Sequence, residues 1–303
     1  MSPIANPNGE LITLHAGDYA ATVTTVGAGL QHLSYQGKDL VLPFPAAELP
    51  PAYAGKTLMP WPNRVAGGSY AFGGQSYELP VNEAATGSAL HGLALWSEWL
   101  VEQRSAASVT LTHLLRGEPG YPFQLALSAS YVLDAATGLG VELEARNCGT
   151  APAPYGCGSH PYVTVGGEDI SNCELGFRAR KVLLTDEKLR PAGLLDSQGT
   201  DFDFSAARKI ASQSLDHAFT DLPEGEWDVT LRNPALQLSA VVRSATAQAP
   251  WLQLYSGELR GRKGLAVEPM TCPPDAFNSG QDLVVLEPGQ SHALAFSVYG
   301  LEG

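Results

Sequence analysis

Alternation of apolar and polar residues with a period of two recurs along the whole 303-residue chain, and no helical pattern of 10–15 residues interrupts it. Successive side chains of a β-strand point to opposite faces, so this alternation marks strands with one buried face. Residues 21–26, 70–79, 108–114, 124–133, 139–146, 227–231, 236–242 and 292–298 read as strands rich in β-branched and aromatic side chains. Gly73-Gly74 divides the second of these into a hairpin, and residues 134–138 form a turn between 131–133 and 141–143. Strands that follow one another without crossover helices build antiparallel sheets. The expected fold class is therefore all-β, a large antiparallel β-sandwich. Residues 205–211 are the best of a few weak helical candidates.

The 32 glycines and 22 prolines suit many tight turns. There is no Pro/Ser-rich linker, no fixed-period repeat and no low-complexity run, and the chemically interesting segments are scattered over the whole length. Residues 1–303 are accordingly expected to form one sandwich domain, with a site built from loops and strand faces.

A net charge of −13 repels nucleic acid and anionic membranes, so neither is an expected partner. An anionic substrate would need a local basic pocket. No stretch approaches the ~18 apolar residues of a membrane span, and the first ten residues lack the basic and apolar regions of a signal peptide. The expected location is the cytoplasm, and the expected assembly is a monomer or homodimer. The four cysteines contain no C-x-x-C pair, and four free, mostly buried thiols are expected.

Few residues could carry chemistry. Of seven histidines, His91 (Leu90-His91-Gly92) and His160 (Ser159-His160-Pro161) have glycine nearby and could be presented by loops, although either could be an ordinary hydrogen-bonded histidine. Glu268 ends a short apolar run before Pro269; a desolvated carboxylate there would be a stronger base, and a solvent-facing strand end is the alternative. Asp216 could cap a turn or bind a ligand. Arg64 and Asn63 together offer several hydrogen bonds, though a surface arginine is the default. Asp201-Phe202-Asp203 lacks the remaining ligands of a calcium loop. No P-loop, H-E-x-x-H, dinucleotide fingerprint or G-x-S-x-G elbow is present.

Six short motifs then stand in a telling order: Asn63-Arg64-Val65-Ala66-Gly67-Gly68, Leu90-His91-Gly92, Ser159-His160-Pro161-Tyr162, Leu215-Asp216-His217-Ala218-Phe219, Leu252-Gln253-Leu254-Tyr255 and Val267-Glu268. In these the chain resembles the aldose 1-epimerases, or galactose mutarotases, from about Gly27 to its C-terminus. The resemblance implies a galactose mutarotase-like supersandwich with an open cleft, no cofactor, no metal and a monosaccharide as the small-molecule partner. It implies Glu268 as general base and His160 as general acid on opposite sides of the sugar. His91 matches a histidine near the ring oxygen, Arg64 and Asp216 match clamps on the hydroxyls, and Asn63 and Gln253 match further contacts. Leu93 follows His91-Gly92 where many such enzymes have a second glycine. Residues 160–163 read His-Pro-Tyr-Val rather than His-x-Tyr-Phe. Residues 268–277 resemble a bacterial branch proposed to act on sulfoquinovose. These departures bear on the sugar, not the reaction.

Three alternatives have sequence support. A hexose-6-phosphate 1-epimerase would need Arg260, Arg262 or Lys263 at the sugar's C6, where a solvated loop is the plainer reading. A sugar-binding module would use platforms such as Trp61 and Trp251 and would not need the acid–base pair. An inverting glycosidase could pair Glu268 with Asp216. With ordinary pKa values of about 4.3 and 6.5, an ionised Glu268 and a proton-bearing His160 coexist best between mildly acidic and neutral pH, unless the site shifts them.

Overall fold

The computed structural model describes residues 6–303, so the first five residues of the N-terminal stretch read above lie outside it. Two antiparallel sheets dominate. In the larger sheet the strands lie in the order Leu11–Ala16, Tyr19–Thr24, Gly29–Tyr35, Lys38–Val41, Tyr162–Val163, Leu265–Met270, Trp251–Tyr255, Asp216–Thr220, Lys181–Thr185 and Pro191–Asp196. Short strands Thr57–Leu58 and Gly158–Ser159 join it from the side. The second sheet runs Leu100–Arg104, Ser108–Leu115, Leu125–Asp134, Gly138–Asn147, Ser291–Glu302, Leu238–Ala245, Glu226–Asn233, Glu174–Phe177 and Arg208–Lys209.

Period-two burial explains the packing. Along Leu125–Asp134 every second side chain is buried, and across the turn Gly138–Asn147 continues the pattern in register, Leu133 opposite Leu139 and Tyr131 opposite Val141. One core cluster extends from Ile12 to Val298 and draws on both sheets. Each fully buried Leu or Val in it contributes roughly 1.5–3 kcal/mol. Between the sheets, the buried Tyr131 hydroxyl donates to the Ala28 carbonyl at 2.6 Å.

The Gly73-Gly74 hairpin forms as expected, both glycines with positive φ, between Ser69–Phe72 and Gln75–Glu78. The helix expected at 205–211 does not form. The Asp203 carboxylate instead accepts from both the amide and hydroxyl of Ser205, and Arg208–Lys209 joins the edge of the second sheet beside Glu174–Leu175. Side-chain capture of the backbone competes with a helix at such positions. All four cysteines are free, three of them buried. No helix among the described residues is long and apolar enough to cross a membrane.

Trp61 and Trp251 are not platforms. Both are buried: Trp61 packs edge-on against Phe277, and the Trp251 indole donates to Asp282 at 2.8 Å. They serve the core, which removes the feature that favoured a sugar-binding module.

Candidate active site

Neighbouring strands of the larger sheet form the floor of a cleft. Tyr162 lies beside Ala266 on the strand that carries Glu268; Glu268 is the cross-strand partner of Gln253, and the next strand brings in Asp216. Residues two apart share a face, so Asp216, Gln253, Tyr255 and Glu268 project together. Short strands and loops supply the walls. Arg64 pairs with Leu90, which places Asn63 and His91 side by side, and Tyr53 comes from a 3₁₀ turn, Pro51–Tyr53. His160 is held from both sides: its amide donates to the Lys56 carbonyl, and its carbonyl accepts from Gly55.

The cleft has a volume of about 170 Å³ and is lined by all seven residues singled out from the sequence: Asn63, Arg64, His91, His160, Asp216, Gln253 and Glu268. Sites for drug-sized ligands run to roughly 300–1,000 Å³, so this one suits a single small ring. A larger groove of about 530 Å³ elsewhere contains Arg180 and Asp221, already paired with each other at 2.8 Å. Chemistry, not volume, distinguishes the cleft.

His160 Nε2 stands 3.4 Å from Glu268 Oε1, and both side chains are buried. That spacing leaves no room for a sugar between them, so they are neighbours rather than groups on opposite sides of a ring. Burial pushes the Glu268 carboxyl well above its ordinary value, helped by the Asp216 charge and opposed by Arg64. Burial pulls His160 down to about 4, and the charges of Arg260 and Arg64 act in the same direction. Between these limits the pair holds one proton, on Glu268. Glu268 also sits within its strand rather than at its end, since the strand continues through Pro269 to Met270.

His91 is buried and held neutral, chiefly by desolvation and then by the His160 and Arg64 charges. Its Nδ1 accepts from the Asn63 amide at 3.2 Å, so the neutral ring carries its proton on Nε2 and is a donor there. In return the His91 amide donates to the Asn63 carbonyl at 2.8 Å. Both residues adopt left-handed backbone, and Gly92 follows with φ of 82°. A Cβ at Gly92 would overlap the Met59 carbonyl. Gly92→Ala is thus expected to cost about 1–3 kcal/mol in chemical denaturation and to lower sugar affinity by displacing His91. Wild-type stability in that variant would show that the backbone tolerates the change.

Arg64 is not a surface residue. Burial pulls its pKa down, but the hydrogen bond to Glu83 and the charges of Asp216 and Glu83 outweigh that and keep it ionised. The Gln253 amide donates to Asp216 Oδ1 at 2.6 Å, which places Asp216 on a strand face in the cleft rather than at a turn cap. Three buried polar atoms of the site have no protein partner: Glu268 Oε2, Gln253 Oε1 and His160 Nδ1. Such atoms are costly unless a ligand or solvent satisfies them.

The solvated-loop reading of residues 260–263 is corrected in part. Arg260 lies 4.8 Å above the Tyr162 ring and donates to the Leu42 and Pro43 carbonyls; Arg262 donates to the Ala211 and Gln213 carbonyls and to Glu258. Lys263 is exposed. None of the three lines the cleft.

The sequence model of the aldose 1-epimerase family matches residues 10–299. The chain belongs to the aldose 1-epimerase family. YihR, an uncharacterised protein of Escherichia coli K12, is 45% identical over 293 residues, 97% of this chain and 94% of its own length. Human galactose mutarotase is 26% identical, covering 93% of this chain and 89% of its own. The structure of a GalM/aldose epimerase homologue from Caenorhabditis elegans superposes with a TM-score of 0.86 at 20% identity, covering 97% of this chain and 99% of that one. The galactose mutarotase-like sandwich is therefore the fold of this epimerase-family chain.

Sequence reasoning missed Glu83, Tyr53 and Leu259, all of which line the cleft. Glu83 sits in the polar loop before His91, and nothing in its spacing marks it. Only the fold brings its carboxylate to Arg64.

Proposed function

We propose that the protein is a mutarotase, interconverting the α and β anomers of a monosaccharide. The observation that carries this reading is the buried Glu268–His160 pair, 3.4 Å apart with opposed pKa shifts, in a cleft sized for one ring. The anomeric hydroxyl and the ring oxygen are bonded to the same carbon, so the groups that serve them must be near neighbours. The pair's one proton first passes from Glu268 to His160; the Glu268 carboxylate then takes the anomeric proton, the bond from C1 to the ring oxygen breaks, and His160 protonates that oxygen. The products are an open-chain aldehyde, a protonated Glu268 and a neutral His160. Rotation about C1–C2 and reversal of both transfers close the ring on the other face. The pair carries one proton throughout, the count that burial imposes on the sugar-free site. Each positioned acid–base group contributes roughly 10²–10⁴ in rate.

His91 Nε2–H, Arg64, Asp216, Asn63 and Gln253 bind the hydroxyls. Asp216 is engaged by Gln253 and lies 4.0 Å from Arg64, so it is a poor second acid or base for glycoside hydrolysis. The cleft opposes one cation, Arg64, with two carboxylates, Glu83 and Asp216. A neutral hexose is therefore the favoured substrate, sulfoquinovose second and a hexose 6-phosphate third. Polarimetric kcat/KM values for the three at several salt concentrations test the order. Preference for the phosphate that fades as salt rises would overturn it and bring Arg260, Arg262 or Lys263 into the site.

Among the described residues no cluster of three or more His, Cys, Asp or Glu could hold a metal ion. Dialysis against a chelator is expected to leave the rate unchanged. A loss restored by one divalent ion would contradict the acid–base mechanism.

A further inference from the structure

Arg64 reaches the cleft already committed. Its Nε donates to Glu83 Oε2 at 2.7 Å and its Nη2 to Glu83 Oε1 at 2.8 Å, a two-point fork. Such bidentate pairs fix geometry as well as charge. Glu83 is itself fixed. The Thr86 hydroxyl donates to its carboxylate, its backbone exchanges hydrogen bonds with Ser88, and its carbonyl also accepts from the Gly87 amide. Next to it the Asn82 side chain binds both the amide and the carbonyl of Leu90, the strand partner of Arg64. The loop is thus clamped to the same two-stranded pair that carries the arginine. Nη1 remains, 3.4 Å from Asn63 Oδ1, and Nη2 lies 4.0 Å from Asp216 Oδ2.

We propose that Glu83 is a positioning and specificity residue of this site. It holds Arg64 by one edge so that the rest of the guanidinium faces sugar hydroxyls beside Asn63 and Asp216. It also cancels the arginine's charge, so that the site selects an uncharged ring over an anionic one. The proposal rests on the mutarotase reading of the cleft. Glu83→Gln cannot offer two anionic acceptors to the fork, so the guanidinium loosens and its charge is released. Glu83→Asp restores the charge but is one methylene too short for the same reach.

Anomer exchange and calorimetric titration of wild type, Glu83→Gln and Glu83→Asp test this, with glucose or galactose as the neutral probe and sulfoquinovose as the anionic one. For Glu83→Gln, KM and Kd for the neutral sugar are expected to rise about tenfold while kcat changes less than about threefold. The ratio of anionic to neutral kcat/KM is expected to rise about tenfold and to fall back as salt is added. Glu83→Asp should return that ratio toward wild type while KM stays raised. A merely structural role would lower both sugars equally, and that result, or no change, overturns the proposal. If the wild type binds a hexose but exchanges no anomers, the mutarotase reading fails and the Kd ratios alone judge Glu83. If it binds neither sugar, both fail.

Discussion

Glu268→Gln is expected to lower turnover by about 10²–10⁴ and at the same time to stabilise the fold, increasingly so as pH rises. The first effect follows from loss of the group that takes the anomeric proton. The second follows from burial. Glu268 has a folded-state pKa well above the ordinary carboxylate value because desolvation disfavours its charge. A group with a raised folded pKa binds more protons folded than unfolded, so the wild type loses stability as pH climbs from the ordinary carboxylate range through that raised value. Glutamine has no charge to desolvate and does not share this loss. Melting temperatures of the two proteins across a pH series should therefore diverge upward. Parallel curves would contradict a desolvated carboxylate, and near-normal anomer exchange in folded Glu268→Gln would remove it as the base.

His160→Gln is expected to reduce turnover by a similar factor, about 10²–10⁴, and to change the shape of the pH profile. In the wild type the active form holds one proton on the pair. On the acid side it is lost when His160 takes a second proton, at about pH 4. On the alkaline side it is lost when the raised Glu268 carboxyl ionises. The kcat/KM profile of the wild type should thus be a bell with an acid limb near pH 4; its limbs belong to the pair rather than to either residue. Removing the imidazole abolishes the acid limb. Stability follows the opposite sign from Glu268: a lowered folded pKa makes the wild type lose stability as pH falls from the ordinary histidine value through about 4. A variant that keeps the acid limb would show that another group produces it.

The fold was legible because period two is a direct image of the pleat: apart from small differences at their ends, the strand segments inferred from it lie within the two large sheets, except 70–79, which forms a separate two-stranded hairpin. The seven candidate residues were picked out through their motifs, and the structure gathers them into one cleft. What escaped depended on partners distant in sequence. Glu83 matters through Arg64, 19 residues earlier. Arg260 looked solvated until the Leu42 and Pro43 carbonyls, more than 200 residues away, proved to receive it. Trp61 and Trp251 looked like platforms because an indole serves a core as readily as a surface, and only packing decides between them. The separation of His160 from Glu268 was likewise invisible, since motif order carries no distance.

The most direct test is the exchange rate between α and β anomers at equilibrium, followed by NMR saturation transfer with the wild-type protein far below the sugar concentration. Glucose, galactose, sulfoquinovose and hexose 6-phosphates form the panel. Exchange accelerated well beyond the uncatalysed rate for a neutral hexose, and reduced to near background by Glu268→Gln at equal concentration, is the predicted result. No acceleration for any of these sugars would contradict the assignment of Glu268 and His160 as a proton-transfer pair.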